Sequence, residues 1–194
     1  MIEPPRASIL HVGMTGRLLL AMERSAARAY GGERVSELAH ALQCAELAAA
    51  AGADRELTLA CLLHDVGRFA VDPRLVFDRV GGAGGARGHH EVGADLIAPF
   101  VPERVTWPVR WHADAKRYLC ATEPGYHAAL SPASQHTLTL QGGLMSTEEI
   151  ARLGGHGWLA DALWLRRWDD GAKVAGQVTR PLESWAPLVQ RYFG

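Results

Sequence analysis

The sequence predicts an all-α helical bundle in a single domain spanning 1–194. Three observations carry that prediction. Apolar residues recur at helical spacing in one segment after another, glycines, prolines and capping residues punctuate those segments, and no alternating strand pattern of useful length appears. A chain of 194 residues suits one domain and can bury a sizeable core. No linker or internal repeat divides it.

Met14, Leu18, Leu19, Met22 and Ala26 give a first helix over about 14–29, which Gly31 and Gly32 break. Ser36 to Ala51 reads as a second helix, with Leu38, Leu42, Ala45 and Ala49 on one face and Gly52 just past its end. Asp54 suits the N-cap of a third, running to Val66. The run Gly81-Gly82-Ala83-Gly84-Gly85 reads as a mobile loop leading into a fourth helix that opens at His89 and is closed by Pro99 and Pro102. Pro102 suits the first turn of a fifth helix, reaching about His112. Ser131-Pro132 opens another, Ser146 and Glu149 form a capping box, and Ala160–Asp169 and Pro181–Phe193 complete the set.

Composition excludes several classes of function. The formal net charge is -1 and the pI about 6.8, so no basic excess points to nucleic acid. No uncharged apolar run approaches the ~20 residues that span a bilayer, so no membrane partner is expected. The N-terminus lacks a basic start followed by an apolar core, the form of a secretion signal. Three cysteines, Cys44, Cys61 and Cys120, with no Cys-x-x-Cys pair, fit reduced thiols in a cytoplasmic protein and exclude a thiolate zinc site. The oligomeric state is left open. Nine histidines are the unusual feature.

The apolar run Leu57–Leu63 ends abruptly in His64-Asp65, followed by Val66-Gly67. Neighbours on a helix point about 100° apart, so both side chains reach one place only where a helix end faces it. A buried carboxylate needs a compensating charge, and a bound metal is the simplest. His40, His89 and His112 also sit where a helix or its end could aim them inward, and Asp169 lies further downstream. Imidazole and carboxylate without thiolate suit iron, manganese or zinc.

The order His, His-Asp, His, His, Asp resembles the HD-domain superfamily of metal-dependent helical proteins. That resemblance implies one metal held by His40, His64, Asp65 and Asp169, a second held by His89 and His112, and Asp65 bridging them. His89 is preferred to His90 for its His-x-x-x-Gly-Ala spacing, and Asp169 to Asp161 and Asp170 for its setting Arg166-Arg167-Trp168-Asp169. Further stretches, spread over about 30–173, resemble the mixed-valent di-iron oxygenases within that superfamily, in particular the branch that cleaves phosphonates. The specific ones are Ala115-Lys116-Arg117-Tyr118-Leu119 and Gln141-Gly142-Gly143, supported by Tyr30-x-x-Glu33, Ser134 with Thr137, and Arg166-x-Trp168-Asp169.

The resemblance implies two irons, as Fe(II)/Fe(III), with O2 as co-substrate. The expected reaction cleaves the C–P bond of a 1-hydroxy-2-(amino or trimethylammonio)ethylphosphonate to phosphate and glycine or glycine betaine. Lys116 lies four residues after His112 and Arg166 three before Asp169, so each shares a helical face with an expected ligand. Two cations and the hydroxyls of Ser134 and Thr137 would surround a small anionic phosphonate. Tyr30 is expected as a residue that occupies an iron position until substrate displaces it, and Glu33 as a carboxylate near the substrate's amino end, both on a mobile lid. One departure stands out: the family often has histidine three residues after the aspartate, and here that position is Arg68, which cannot act as a base but can pair with an anion. The rival reading is an HD-type phosphohydrolase of a phosphate ester or nucleotide, in which the metals activate water. A third is a non-catalytic metal or nucleotide sensor.

Overall fold

A computed structural model describes residues 13–69 and 88–194, and the described chain is all-α. The expected Gly81–Gly85 loop lies outside the described residues. The helices are α1 (Met14–Arg24), α2 (Glu37–Ala50), α3 (Arg55–Leu63), α4 (His89–Ile97), α5 (Glu103–Thr122), α6 (Tyr126–Ala129), α7 (Pro132–Leu140), α8 (Thr147–Gly154), α9 (Leu159–Gly171) and α10 (Ala186–Phe193). No described helix is long and apolar enough to cross a membrane.

Capping chemistry sets several starts where the sequence places them. Ser36 Oγ accepts from Ala39 N, Asp54 Oδ1 from Leu57 N, Ser131 Oγ from Ser134 N, and Ser146 and Glu149 cap each other. The expected last helix over Pro181–Phe193 is a 3-10 turn at Leu182–Trp185 followed by α10, and three further boundaries that bear on the site differ from expectation. The first helix stops at Arg24, and after a 3-10 turn (Ser25–Ala27) the chain makes a tight loop closed by an isolated bridge between Ala29 and Ser36. Gly31 and Gly32 at its tip adopt positive φ, which a side chain resists.

The third helix ends at Leu63 rather than Val66. His64 caps it, Asp65 turns off the helix at φ -102° and ψ 13°, and a 3-10 turn follows at Val66–Arg68. That break removes the 100° separation of successive helical side chains and lets both residues face one site. The fifth helix runs ten residues past His112, through Pro108 in its interior. Its second half reads as polar, yet Ala115, Lys116 and Leu119 are buried.

Helix α5 packs on α4, α3 and α9, while α2 packs on α3 and α9. The main core joins Leu18 and Met22 of α1 to the α2–α3 pair, α4, Leu165 of α9 and Val189 of α10. A smaller cluster, with Trp107, Ala115, Met145, Leu153, Leu159 and Ala162, ties α5 to α8 and α9. The expected metal ligands thus lie on or at the ends of α2, α3, α4, α5 and α9, which these contacts bring together.

Candidate metal centre and anion pocket

His40 on α2, His64 at the end of α3 and His112 on α5 are buried, and each is held from behind. His40 Nδ1 donates to Ala172 O, His64 Nδ1 to Cys61 O and His112 Nδ1 to Val109 O, all at 2.8 Å. A carbonyl only accepts, so the proton of each neutral ring is on Nδ1 and Nε2 presents a lone pair. His40 Nε2 lies 3.0 Å from His64 Nε2, and His89 Nε2 lies 3.3 Å from His112 Nε2. Lone pairs aimed at each other across such distances repel unless a proton or a cation sits between them.

Asp65 stands between the two pairs. Its Oδ2 faces His64 Nε2 at 3.5 Å and His40 Nε2 at 3.9 Å, and its Oδ1 faces His89 Nε2 at 2.9 Å and His112 Nε2 at 3.8 Å. Asp65 is buried, and Arg68 Nε lies 3.1 Å from its Oδ2 as an ion-pair partner. Asp169, on α9, divides its oxygens: Oδ2 accepts from Arg166 Nη1 at 2.7 Å, and Oδ1 lies 3.2 Å from His40 Nε2. These buried carboxylate oxygens, together with the facing ring nitrogens of His40 and His64 and of His89 and His112, fit metal cations. The potential ligand groups are His40, His64 and Asp65 on one side and Asp65, His89 and His112 on the other, with Asp169 beside the first.

The electrostatics have the same sense. Burial works against the Asp65 charge, but Arg68, His64 and His89 hold its carboxyl well below the usual carboxylate range. Burial likewise opposes the Asp169 charge, and Arg166 and Lys173 override it. Burial, with Arg68 for His89 and His64 for His112, keeps those two imidazoles neutral. Burial also disfavours charge on His64, yet Asp65 pulls its pKa up to about 10. The site demands positive charge at His64 Nε2, and a cation there answers both the demand and the clash with His40.

Backbone proximity brings the second pair to the first. A Cβ at Gly67 would stand 2.0 Å from His89 O and 2.7 Å from Gly93 N. Only glycine lets the turn after Asp65 press against the start of α4, so His89 reaches Asp65. His90 lines the pocket with its Nδ1 unpartnered but faces no Asp65 oxygen within ion-pair distance.

A cavity of about 320 Å³ opens on this centre. Tyr30, Glu33, Arg68, Lys116, Ser134, Thr137 and Arg166 all line it, together with His89, His112 and Asp169. The structure therefore brings every expected substrate residue to one chamber. Lys116 Nζ donates to Thr137 Oγ1 at 2.8 Å and Ser134 O at 3.3 Å. Burial, aided by Arg166, lowers its pKa to about 7. Tyr30 stacks on His40 with ring centres 3.8 Å apart, and burial with Asp169 and Asp65 keeps its phenol protonated. Glu33 Oε1 accepts from Ser131 Oγ at 2.6 Å.

Two participants were not expected from sequence. Lys173 donates to Ser134 Oγ at 2.9 Å and Asp170 Oδ1 at 3.2 Å, and it lines the cavity. Asp170 also takes hydrogen bonds from Arg166 and from the Tyr126 hydroxyl. Lys173 lies four residues after Asp169, but α9 ends at Gly171, so helical spacing does not carry that far.

Residues 38–141 match the HD domain family, more than half of the chain. The chain belongs to the HD-domain family. It is 43% identical over 159 residues to the hydroxymethylphosphonate dioxygenase of Gimesia maris, covering 81% of this chain and 78% of that one. It is 39% identical over 163 residues to the [1-hydroxy-2-(trimethylamino)ethyl]phosphonate dioxygenase (glycine-betaine-forming) of Leisingera caerulea, covering 84% of this chain and 81% of that one. Both relatives bear out the oxygenase branch that the specific stretches resemble.

Proposed function

We propose that this HD-domain protein is a dioxygenase that cleaves the C–P bond of a small 1-hydroxyalkylphosphonate, giving phosphate and a carboxylic acid. The observation that carries the reading is the buried Asp65 carboxylate, set between two imidazole pairs at the wall of a cationic chamber. The names of the two relatives support the chemistry.

In this reading His40, His64 and Asp169 would hold one iron and His89 and His112 the other, with the Asp65 carboxylate within reach of both groups. When bound, the Fe(II)/Fe(III) pair supplies the redox chemistry with dioxygen, and the protein supplies position and charge. Lys116, Arg166 and Lys173 bind the phosphonate oxygens, and Ser134 and Thr137 orient the two lysines. Their attraction to an anion places the hydroxyl-bearing carbon on the Asp65 side of the chamber. Tyr30 covers His40 and keeps solvent from that wall until substrate enters.

The deciding experiment uses iron-loaded protein. Phosphate release from hydroxymethylphosphonate, 2-amino-1-hydroxyethylphosphonate or its trimethylammonio analogue is expected only in the presence of oxygen, with one O2 consumed per phosphate. Oxygen-independent hydrolysis of p-nitrophenyl phosphate or nucleotides, with no phosphonate turnover, would overturn the reading in favour of a phosphohydrolase.

A further inference from the structure

Arg68 stands three residues after Asp65, and the structure gives it a location. Its Nε lies 3.1 Å from Asp65 Oδ2, and its guanidinium carbon lies 5.1 Å from the centre of the Tyr30 ring. Tyr30 is itself stacked on His40. Both Arg68 and Tyr30 line the cavity, and Tyr30 is the one Phe, Tyr or Trp among its described lining residues. Arginine keeps its charge across the whole working pH range.

We propose that Arg68 sets substrate choice: its fixed positive charge, seated over the Tyr30 ring and against Asp65, disfavours an ammonium or trimethylammonio group on the second carbon. It favours a 1-hydroxyalkylphosphonate whose second carbon is absent or uncharged. The inference deepens the proposed function and rests on it.

Two physical effects act in the same direction. A substrate anchored by its phosphonate at Lys116 and Arg166, with its hydroxyl carbon toward Asp65, carries a C2 substituent into the neighbourhood of Arg68. A cation there meets a like charge in a partly water-excluded site, where screening is weak. A trimethylammonio group is ordinarily held by aromatic faces, but the face available here already has a guanidinium above it. Glu33, which would attract a cation, has one carboxylate oxygen engaged by Ser131. A neutral imidazole at position 68 would remove the repulsion and uncover the ring.

The test compares the three phosphonates named above on iron-loaded protein, by kcat/KM in air and by calorimetric Kd under anaerobic conditions, with iron content measured in parallel. For the natural chain, hydroxymethylphosphonate should exceed the amino substrate at least tenfold by both measures, with the trimethylammonio substrate lowest. Arg68→Gln should narrow the gap at least tenfold by improving the two cationic substrates, and Arg68→Lys, which keeps the charge, should preserve it. Arg68→His serves as a second neutral variant if Arg68→Gln loads iron poorly. Equal preference for all three in the natural chain, or an unchanged ranking in the neutral variants, overturns the role of Arg68 and leaves the dioxygenase reading intact. No oxygen-dependent turnover of any phosphonate, by contrast, removes the reading on which it rests.

Discussion

On the imidazole side of the chamber, His40, His64 and His112 each spend Nδ1 on a backbone carbonyl and leave Nε2 bare, facing the buried Asp65 carboxylate, which has one cation, Arg68, against it. On the cationic side, Arg166 is satisfied by Asp169 and Asp170, Lys173 by Ser134 and Asp170, and Lys116 by Thr137 and Ser134. The first side is rigidly aimed but electrostatically incomplete, so it requires an ion. The second is complete without ligand, so an arriving phosphonate exchanges partners rather than filling a vacancy. Losses on the first side should be all-or-none and losses on the second graded, and substitution can separate the two.

The largest effect is expected at Asp65. Asp65→Asn keeps the shape but removes the charge that faces both imidazole pairs. Iron analysis should show loss of paired binding, and oxygen-dependent turnover should disappear with it. Retention of two irons per chain would show that the pairs do not depend on a shared carboxylate.

A smaller, pH-graded loss is expected at Lys116. Its pKa of about 7 means that the free site carries this charge below neutrality and sheds it above. A bound phosphonate favours the charged form, so affinity from this group is present at low pH and lost as pH rises through about 7. Lys116→Ala should raise KM about tenfold or more at pH 6.5, the scale of a charge-assisted hydrogen bond, with little change in iron content. The ratio of KM values between variant and natural chain should shrink toward pH 8. The substrate's own ionisation is common to both proteins and cancels in that ratio. A ratio independent of pH would detach Lys116 from the phosphonate.

Most of the imidazole side was legible in the sequence. Each ligand candidate adjoins a local signal: an apolar run ending at His64-Asp65, a capped helix carrying His40, a glycine four residues past His89. The structure brought all six candidates to one centre. The turn that makes this possible was not legible, because a helix extended to Val66 and one ended at Leu63 have the same apolar pattern, and the close approach of Gly67 to His89 O is a tertiary fact. The cationic side was legible only in part. The family resemblance singles out Lys116 and Arg166, and helical spacing puts each on the face of a ligand candidate, but Lys173 acts from beyond the end of α9. Helix α5 runs to Thr122, and Lys116, a residue that usually marks a solvated face, is buried on it at 2% exposure.

The smallest effect sharpens the comparison from outside the chamber. Ser36 caps α2, four residues before His40; its carbonyl accepts from His40 N at 2.9 Å, a bond that alanine keeps, while its hydroxyl accepts from Ala39 N. Ser36→Ala should cost about 1 kcal/mol of folding stability, read as a fall in Tm of about 2–4 °C for a chain of this size. Iron content and KM should stay unchanged, because His40 is aimed by its bond to Ala172 O and by packing against Tyr30 rather than by the helix start. If iron content falls along with Tm, the aim of His40 is set by the cap, and the imidazole side is less self-supporting than its backbone anchors imply.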